Sequence, residues 1–208
     1  MLYYNKEKIT GDKNMSINTK MTKVRKRLLD TALELFLDQG YENTTVNEII
    51  KKSKTSKGSF YHHFRGKEEL LFCVAYKFDE VYNDWLKTED STISALQRLK
   101  DFNLFVCNNL ENSPYKVFYS DLYGMQVRTQ FERHILNPDR LYYKLVDRLF
   151  KEAIENGEIS TNNSYTELEK TYTTIQRGLT YDWCLNKWSY SITNKSEQII
   201  NAYLDSLK

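Results

Sequence analysis

The sequence predicts an all-α protein, with a three-helix helix-turn-helix domain near the N-terminus joined to a larger helical domain, about nine helices in all. Three observations carry that reading. The 208 residues include only 7 glycines and 2 prolines, too few breaks for a loop-rich β fold. Apolar residues recur at helical spacing over long stretches, and no stretch alternates convincingly as a strand would. Two segments open on a capping box, Thr45-Val46-Asn47-Glu48 and Ser164-x-x-Glu167, in which a hydroxyl accepts a backbone N–H while the carboxylate reaches back.

Residues 1–20 are polar and aperiodic and read as a disordered tail. From Thr22 the chain turns helical: Leu28, Ala32, Leu35 and Phe36 form one stripe, and Gly40 ends it. The Thr45 box starts a short helix running to about Ser53, with Val46, Ile49 and Ile50 facing inward. Thr55 or Ser56 caps a third, very short helix that runs to about Phe64, and Gly66 precedes a long fourth one from Lys67. Further helices are predicted over Thr92–Leu110 and Pro114–Thr129. Asn137-Pro138 reads as a cap with proline in the first turn, opening a helix that Gly157 closes. The last two are placed from Ser164 to about Lys187 and from Asn194 to Leu207. The domain limits are then 21–67 for the head, with the motif at about 45–64, and 68–208 for the body.

The whole chain carries a formal charge of only +2, but the charge is unevenly spread. Residues 1–70 hold 14 Lys/Arg against 9 Asp/Glu, and the remainder holds 16 against 19. A basic head on an acidic body points the head at a polyanion. Cys73, Cys107 and Cys184 are scattered, without metal-ligand spacing, so neither a disulfide framework nor a zinc site is expected. No apolar run approaches the ~18 residues of a spanning helix, and the first residues do not read as a signal peptide. A cytoplasmic protein with no membrane contact and no cofactor is expected.

Between Thr44 and Lys67 stand six basic residues, at 51, 52, 54, 57, 65 and 67, and one acid, Glu48. Gly58 falls in the first turn of the third helix, where glycine costs ~0.5–1 kcal/mol relative to alanine; close approach of a partner to the backbone would justify it. Thr55, Ser56, Lys57, Ser59, Tyr61, His62 and His63 surround it, all able to donate to phosphates or base edges. Lys67 stands at a helix start, where the dipole disfavours a cation unless an anion is shared there. Each of these also has a plainer reading. Phe60 and Phe64 are core, Thr45 is a structural cap first, and adjacent His62 and His63 point about 100° apart on a helix, which makes a metal pair improbable.

The stretch from Gly40 to Ile50, followed by Ser56-Lys-Gly-Ser-Phe-Tyr-His-His-Phe64 and Lys67-Glu-Glu-Leu70, resembles the TetR family of bacterial transcriptional regulators. The resemblance covers about Lys23 to Leu71. It implies that Thr45, Ser56, Tyr61 and Lys67 anchor phosphates of double-stranded DNA, that Lys57, Gly58, Ser59 and His62 lie in or near the major groove, and that His63 touches the backbone. Lys54 departs from the pattern, standing in the turn where the family often has glycine. A left-handed backbone at Lys54, or a changed angle between the two helices, would follow.

The body offers no catalytic constellation, so an enzyme is not expected. It offers aromatic density instead. In regulators of this resemblance the body binds a small effector and the last two helices pair across a two-fold axis. Carried over, Leu179, Trp183, Ile199, Ile200, Tyr203 and Leu204 would form a homodimer interface. Trp85, Phe105, Tyr119, Tyr123 and Trp183 would line the pocket of a small hydrophobic or aromatic effector, flat or cationic. The implied function is a repressor that binds a palindromic operator as a dimer and is released by the effector. The alternative is a helix-turn-helix protein with no small-molecule effector, controlled by a protein partner or acting as a structural DNA binder.

Overall fold

In the computed structural model, residues 22–129, 133–160 and 163–208 are described, so the expected tail at 1–20 lies outside them. The described residues form nine α-helices and two short 3-10 turns, with no strand. The head comprises α1 (Lys23–Gln39), α2 (Val46–Lys52) and α3 (Lys57–His63). Thr22 Oγ accepts the Arg25 amide at 3.2 Å to start α1, and Gly40, at φ +86°, ends it in a conformation that favours glycine. The Thr45–Glu48 box is formed in full, and Ser56 rather than Thr55 caps α3. Val46 and Ile50 are only partly buried, whereas Ile49 is sealed.

The long helix α4 (Lys67–Thr88) links head to body, which continues as α5 (Ala95–Asn112), α6 (Tyr119–Arg128), α7 (Leu141–Glu155), α8 (Tyr165–Leu185) and α9 (Ile192–Asp205). Three starts differ from the sequence reading, each for a local reason. Thr92 donates to Asp90 Oδ1 at 2.6 Å in a turn, so α5 waits for the Ser94 cap. Pro114–Phe118 is a 3-10 turn, and α6 begins only at Tyr119. Asn137 does not cap α7: its Oδ1 accepts the Asp139 amide at 2.9 Å in a turn, and the helix starts four residues later.

α5 lies against α9 and α7, α8 packs on α7 and α9, and α6 rests on α8; in the head, α1 crosses α2, α3 and α4. One continuous apolar cluster runs from Leu28, Phe36, Ile49 and Phe60 in the head to Phe102, Phe150, Tyr172 and Trp183 in the body. Full burial of such side chains stabilises by roughly 1.5–3 kcal/mol apiece. Charge inside the body is paired over long chain distances: Arg98 binds Glu89 at 3.0 Å and also Glu152, and Arg148 binds Glu89 at 2.6 Å.

Candidate nucleic-acid interface

The α2–α3 turn sets the site. Lys54 takes φ 51°, and the Thr55 amide reaches back to Ile50 O at 3.1 Å, so a lysine fills the left-handed position without glycine. That conformation costs a non-glycine residue roughly 1–2 kcal/mol. Ser53 Oγ and Thr55 Oγ1 stand 2.9 Å apart and tie the turn from inside. Thr55 therefore braces the turn rather than facing outward.

Beyond the turn, α3 presents Ser56, Lys57, Gly58, Tyr61 and His62 to solvent, while Phe60 and Phe64 face the core. At 100° per residue, positions 57, 58, 61 and 62 fall within about 140° of the helix circumference, a single face. Tyr61 is 51% exposed, its ring edge-on to Phe60 at 5.2 Å. A Cβ built on Gly58 would meet only Ser56 Oγ, at 3.9 Å, so the free protein has room for a larger residue there. Ser59 and His63 are half-buried at the edge of the face. Burial, then His62 and Arg25, push the His63 imidazole below the ordinary histidine range and keep it a neutral donor near pH 7. Among the described residues, Lys51, Lys54 and Lys57 have no acidic partner, whereas Lys52 binds Glu34 at 3.0 Å.

Two expected phosphate donors are engaged elsewhere. Thr45 Oγ1 accepts the Glu48 amide and gives its own hydrogen to Glu48 Oε2 at 2.7 Å, leaving no donor for a phosphate in this conformation. Lys67 Nζ donates to Tyr41 O at 2.7 Å and Glu42 O at 3.4 Å and sits 4.1 Å from the centre of the Tyr41 ring. It clamps the α1–α2 turn onto the start of α4. Spacing alone could not have revealed this contact, which joins residues 26 apart.

In the body, Trp85 and Trp183 are core residues. Trp183 is 1% exposed and its Nε1 donates to Tyr190 O at 2.7 Å. Phe105, Tyr119 and Tyr123 keep part of their surface accessible. A cavity of about 500 Å³ opens between α4 and the end of α5, walled by Lys77, Phe78, Glu80, Val81, Asn109 and Tyr115 among others. None of the five aromatics expected to line a pocket lines this one. Ring-to-ring packing explains much of the aromatic excess: Trp85 lies 4.7 Å from Phe102, which touches Tyr82 at 5.5 Å and Tyr142 at 6.0 Å. On the expected dimer surface, Trp183, Ile200 and Leu204 are buried within the protomer, because α8 and α9 turn those positions onto α5 and α7, so they offer nothing to a second copy. Leu179, Ile199 and Tyr203 stay partly exposed.

The sequence reading also missed a buried ion pair. Arg140 donates through Nε to Asp79 Oδ2 at 2.9 Å and through Nη2 to Asp79 Oδ1 at 2.8 Å and Ala75 O at 3.0 Å. Burial pushes the Asp79 carboxyl up, opposed by Arg140 and by the amides of Tyr142 and Leu141 at the start of α7. Asp79 thus caps a helix that has no side-chain cap of its own. The available signal was an acid in the middle of an apolar helix stripe, between Ala75, Phe78 and Tyr82.

The family described as bacterial regulatory proteins, tetR family, matches residues 28–74, which span most of α1 through the first turns of α4. The chain is 43% identical over 98 residues to the HTH-type transcriptional regulator YuxN of Bacillus subtilis, covering 46% of this chain but only 33% of that relative. It is 27% identical over 144 residues to the HTH-type transcriptional regulator QacR of Staphylococcus aureus, covering 67% of this chain and 76% of QacR. The fold matches Thermus thermophilus FadR, a TetR family transcriptional repressor solved with lauroyl-CoA, with a TM-score of 0.70 at 17% identity over 86% of this chain and 92% of that one. These relatives are transcriptional regulators, not enzymes. The head thus carries the signature of the tetR family of bacterial regulatory proteins over residues 28–74, and the fold along the chain's length is similar to that of FadR.

Proposed function

We propose that the protein is a cytoplasmic, homodimeric repressor that holds a near-palindromic operator and lets go when a small effector enters the body. The observation that carries the DNA contact is the outward face of α3. Ser56, Lys57, Tyr61 and His62 are exposed donors, and Gly58 leaves open space where a groove wall can approach. A dimer would set two such faces in successive major grooves, roughly 34–36 Å apart. Leu179, Ile199 and Tyr203, with exposed Tyr181 and Leu185 on α8, support pairing through α8 and α9. The lauroyl-CoA of FadR supports an effector with a large apolar portion. An effector coupling of ~1–3 kcal/mol would shift operator affinity about 5–150-fold, enough for control.

The test is selection of bound duplexes from a random pool, followed by anisotropy titration of the winner at several salt concentrations and sedimentation of the complex. Expected are two half-sites, a dimer on the duplex, and affinity that falls steeply with salt. Absence of duplex retention at low ionic strength would overturn the reading. The ring-to-ring packing of Trp85, Phe102, Tyr82 and Tyr142 favours a second reading, a DNA binder with no small effector. A melting-temperature screen of apolar compounds that gives no shift selects it.

A further inference from the structure

Three of the helices end on the same backbone closure, in which one residue turns left-handed and two amides reach back to the last turn. At the end of α7 that residue is Gly157, at φ 69°: its amide meets Ile154 O at 3.0 Å and the Glu158 amide meets Ala153 O at 2.9 Å. α2 closes in the same way with Lys54, whose amide meets Lys51 O at 3.3 Å while the Thr55 amide meets Ile50 O at 3.1 Å. α8 repeats the closure with Lys187, at φ 50°, whose amide meets Cys184 O at 3.0 Å while the Trp188 amide meets Trp183 O at 3.0 Å. A residue with a Cβ is strained there, so the closure alone favours glycine. Both lysines are exposed, and neither has an acidic partner among the described residues.

What separates the two lysines is their surroundings. Lys187 stands on the body, between α8 and α9. Lys54 stands two residues before Ser56, the cap of α3, with Lys51 three residues before it and Lys57 three after, all exposed. Acids of the head are engaged elsewhere: Glu34 and Asp38 approach Lys52 at 3.0 and 3.9 Å, and Glu48 holds the Thr45 amide at 2.7 Å. Thr45 and Lys67, the donors at the starts of α2 and α4, are themselves held by partners inside the head. Uncompensated ammonium groups repel one another, and a polyanion relieves that repulsion. We propose that Lys54, with Lys51 beside it, grips the phosphate backbone of duplex DNA from the α2–α3 turn, so that part of the sequence-independent hold lies on the turn and not at the helix starts. This rests on the reading that the α3 face meets DNA. Lysine at 54 then trades fold stability for affinity, because the ammonium needs a side chain where the backbone is best served by glycine. A point charge on a flexible stem follows phosphates and carries no base code.

The test uses the full chain and two duplexes of equal length, the selected operator and an unrelated sequence, titrated by anisotropy from about 50 to 200 mM KCl. Lys54→Asn removes the ammonium and keeps a residue that tolerates the left-handed turn. It should lower the salt slope by about one unit on both duplexes and weaken binding about tenfold near 0.1 M salt. The double variant Lys51→Gln/Lys54→Asn should lower the slope by about two units, and Lys54→Arg should keep the parent slope. Lys187→Asn relieves the same backbone strain on the body and should leave both titrations unchanged. Lys54→Asn should melt at or above the parent's temperature, which separates a lost charge from a lost fold. An unchanged slope in Lys54→Asn, a loss confined to the operator, a slope that Lys54→Arg does not keep, an equal loss in Lys187→Asn, or a clear drop in melting temperature each overturns the assignment. A parent that retains neither duplex overturns the DNA reading and this inference with it, whereas a parent that binds both and is indifferent to Lys54→Asn loses the turn contact alone.

Discussion

The head and the body solve the same problem, satisfying polar groups around an apolar core, at different ranges. In the head, the bonds that start α2 and α3 and shape the turn between them join neighbours in the chain: Thr45 with Glu48, Ser56 with Ser59, and the Thr55 amide with Ile50 O. In the body they are distant. Asp79 meets Arg140 across 61 residues, and Asn103 receives Gln176 at 2.5 Å and Ser196 at 2.7 Å across 73 and 93. The head is therefore a surface built by local grammar and left open to a partner. The body also has an interior whose buried polar pairs form only after the helices have come together.

That contrast can be broken from either side. The largest effect is expected from Asp79→Ala, which strands the Arg140 charge and uncaps α7. Losing one partner of a buried pair costs about 3–5 kcal/mol, and for a chain of this size the melting temperature should fall by about 10 °C in calorimetry. Next, Gly58→Val should lower operator affinity about a hundredfold in anisotropy titrations with no change in melting temperature, because its side chain enters open space in the free protein. Unchanged binding would mean that no groove wall comes near α3. Lys54→Gly should raise stability by about 0.5–1 kcal/mol, read as a shift in denaturant midpoint, by relieving the left-handed lysine. The smallest effect belongs to Lys67→Ala. If the lysine swings from the Tyr41 carbonyl to a phosphate in the complex, the salt slope should drop by about one unit alike for all sequences. An unchanged slope would leave Lys67 as a clamp alone.

Much of the fold was legible because helix starts are written within four residues. Both capping boxes, the Gly40 and Gly157 ends, and the α3 start follow from hydroxyls, carboxylates and positive-φ glycines at fixed offsets. The same grammar failed where a long-range group overrode it. Asn137-Pro138 has the composition of a helix cap, but α7 takes its carboxylate from Asp79 on α4. On the proposed DNA face, the exposed positions Ser56, Lys57, Gly58, Tyr61 and His62 were readable because one short helix and its cap carry them. The donors lost to internal partners, Thr45 and Lys67, were not readable as such. Trp183 looks the same in a sequence whether it faces a pocket, a second copy or its own core; only the crossing of α8 over its neighbours decides.

Lys67 on the Tyr41 carbonyl, with the Phe36 ring 6.0 Å from Phe118, fastens two regions that the chain would otherwise join only through α4. Phe118 immediately precedes Tyr119, the first residue of α6. A fragment cut after residue 67 would keep every side chain of the proposed DNA face and still lose the far wall of its own hydrophobic seam. The head is thus not a detachable module on a loose tether: the residue that precedes α6 forms part of the packing around its core.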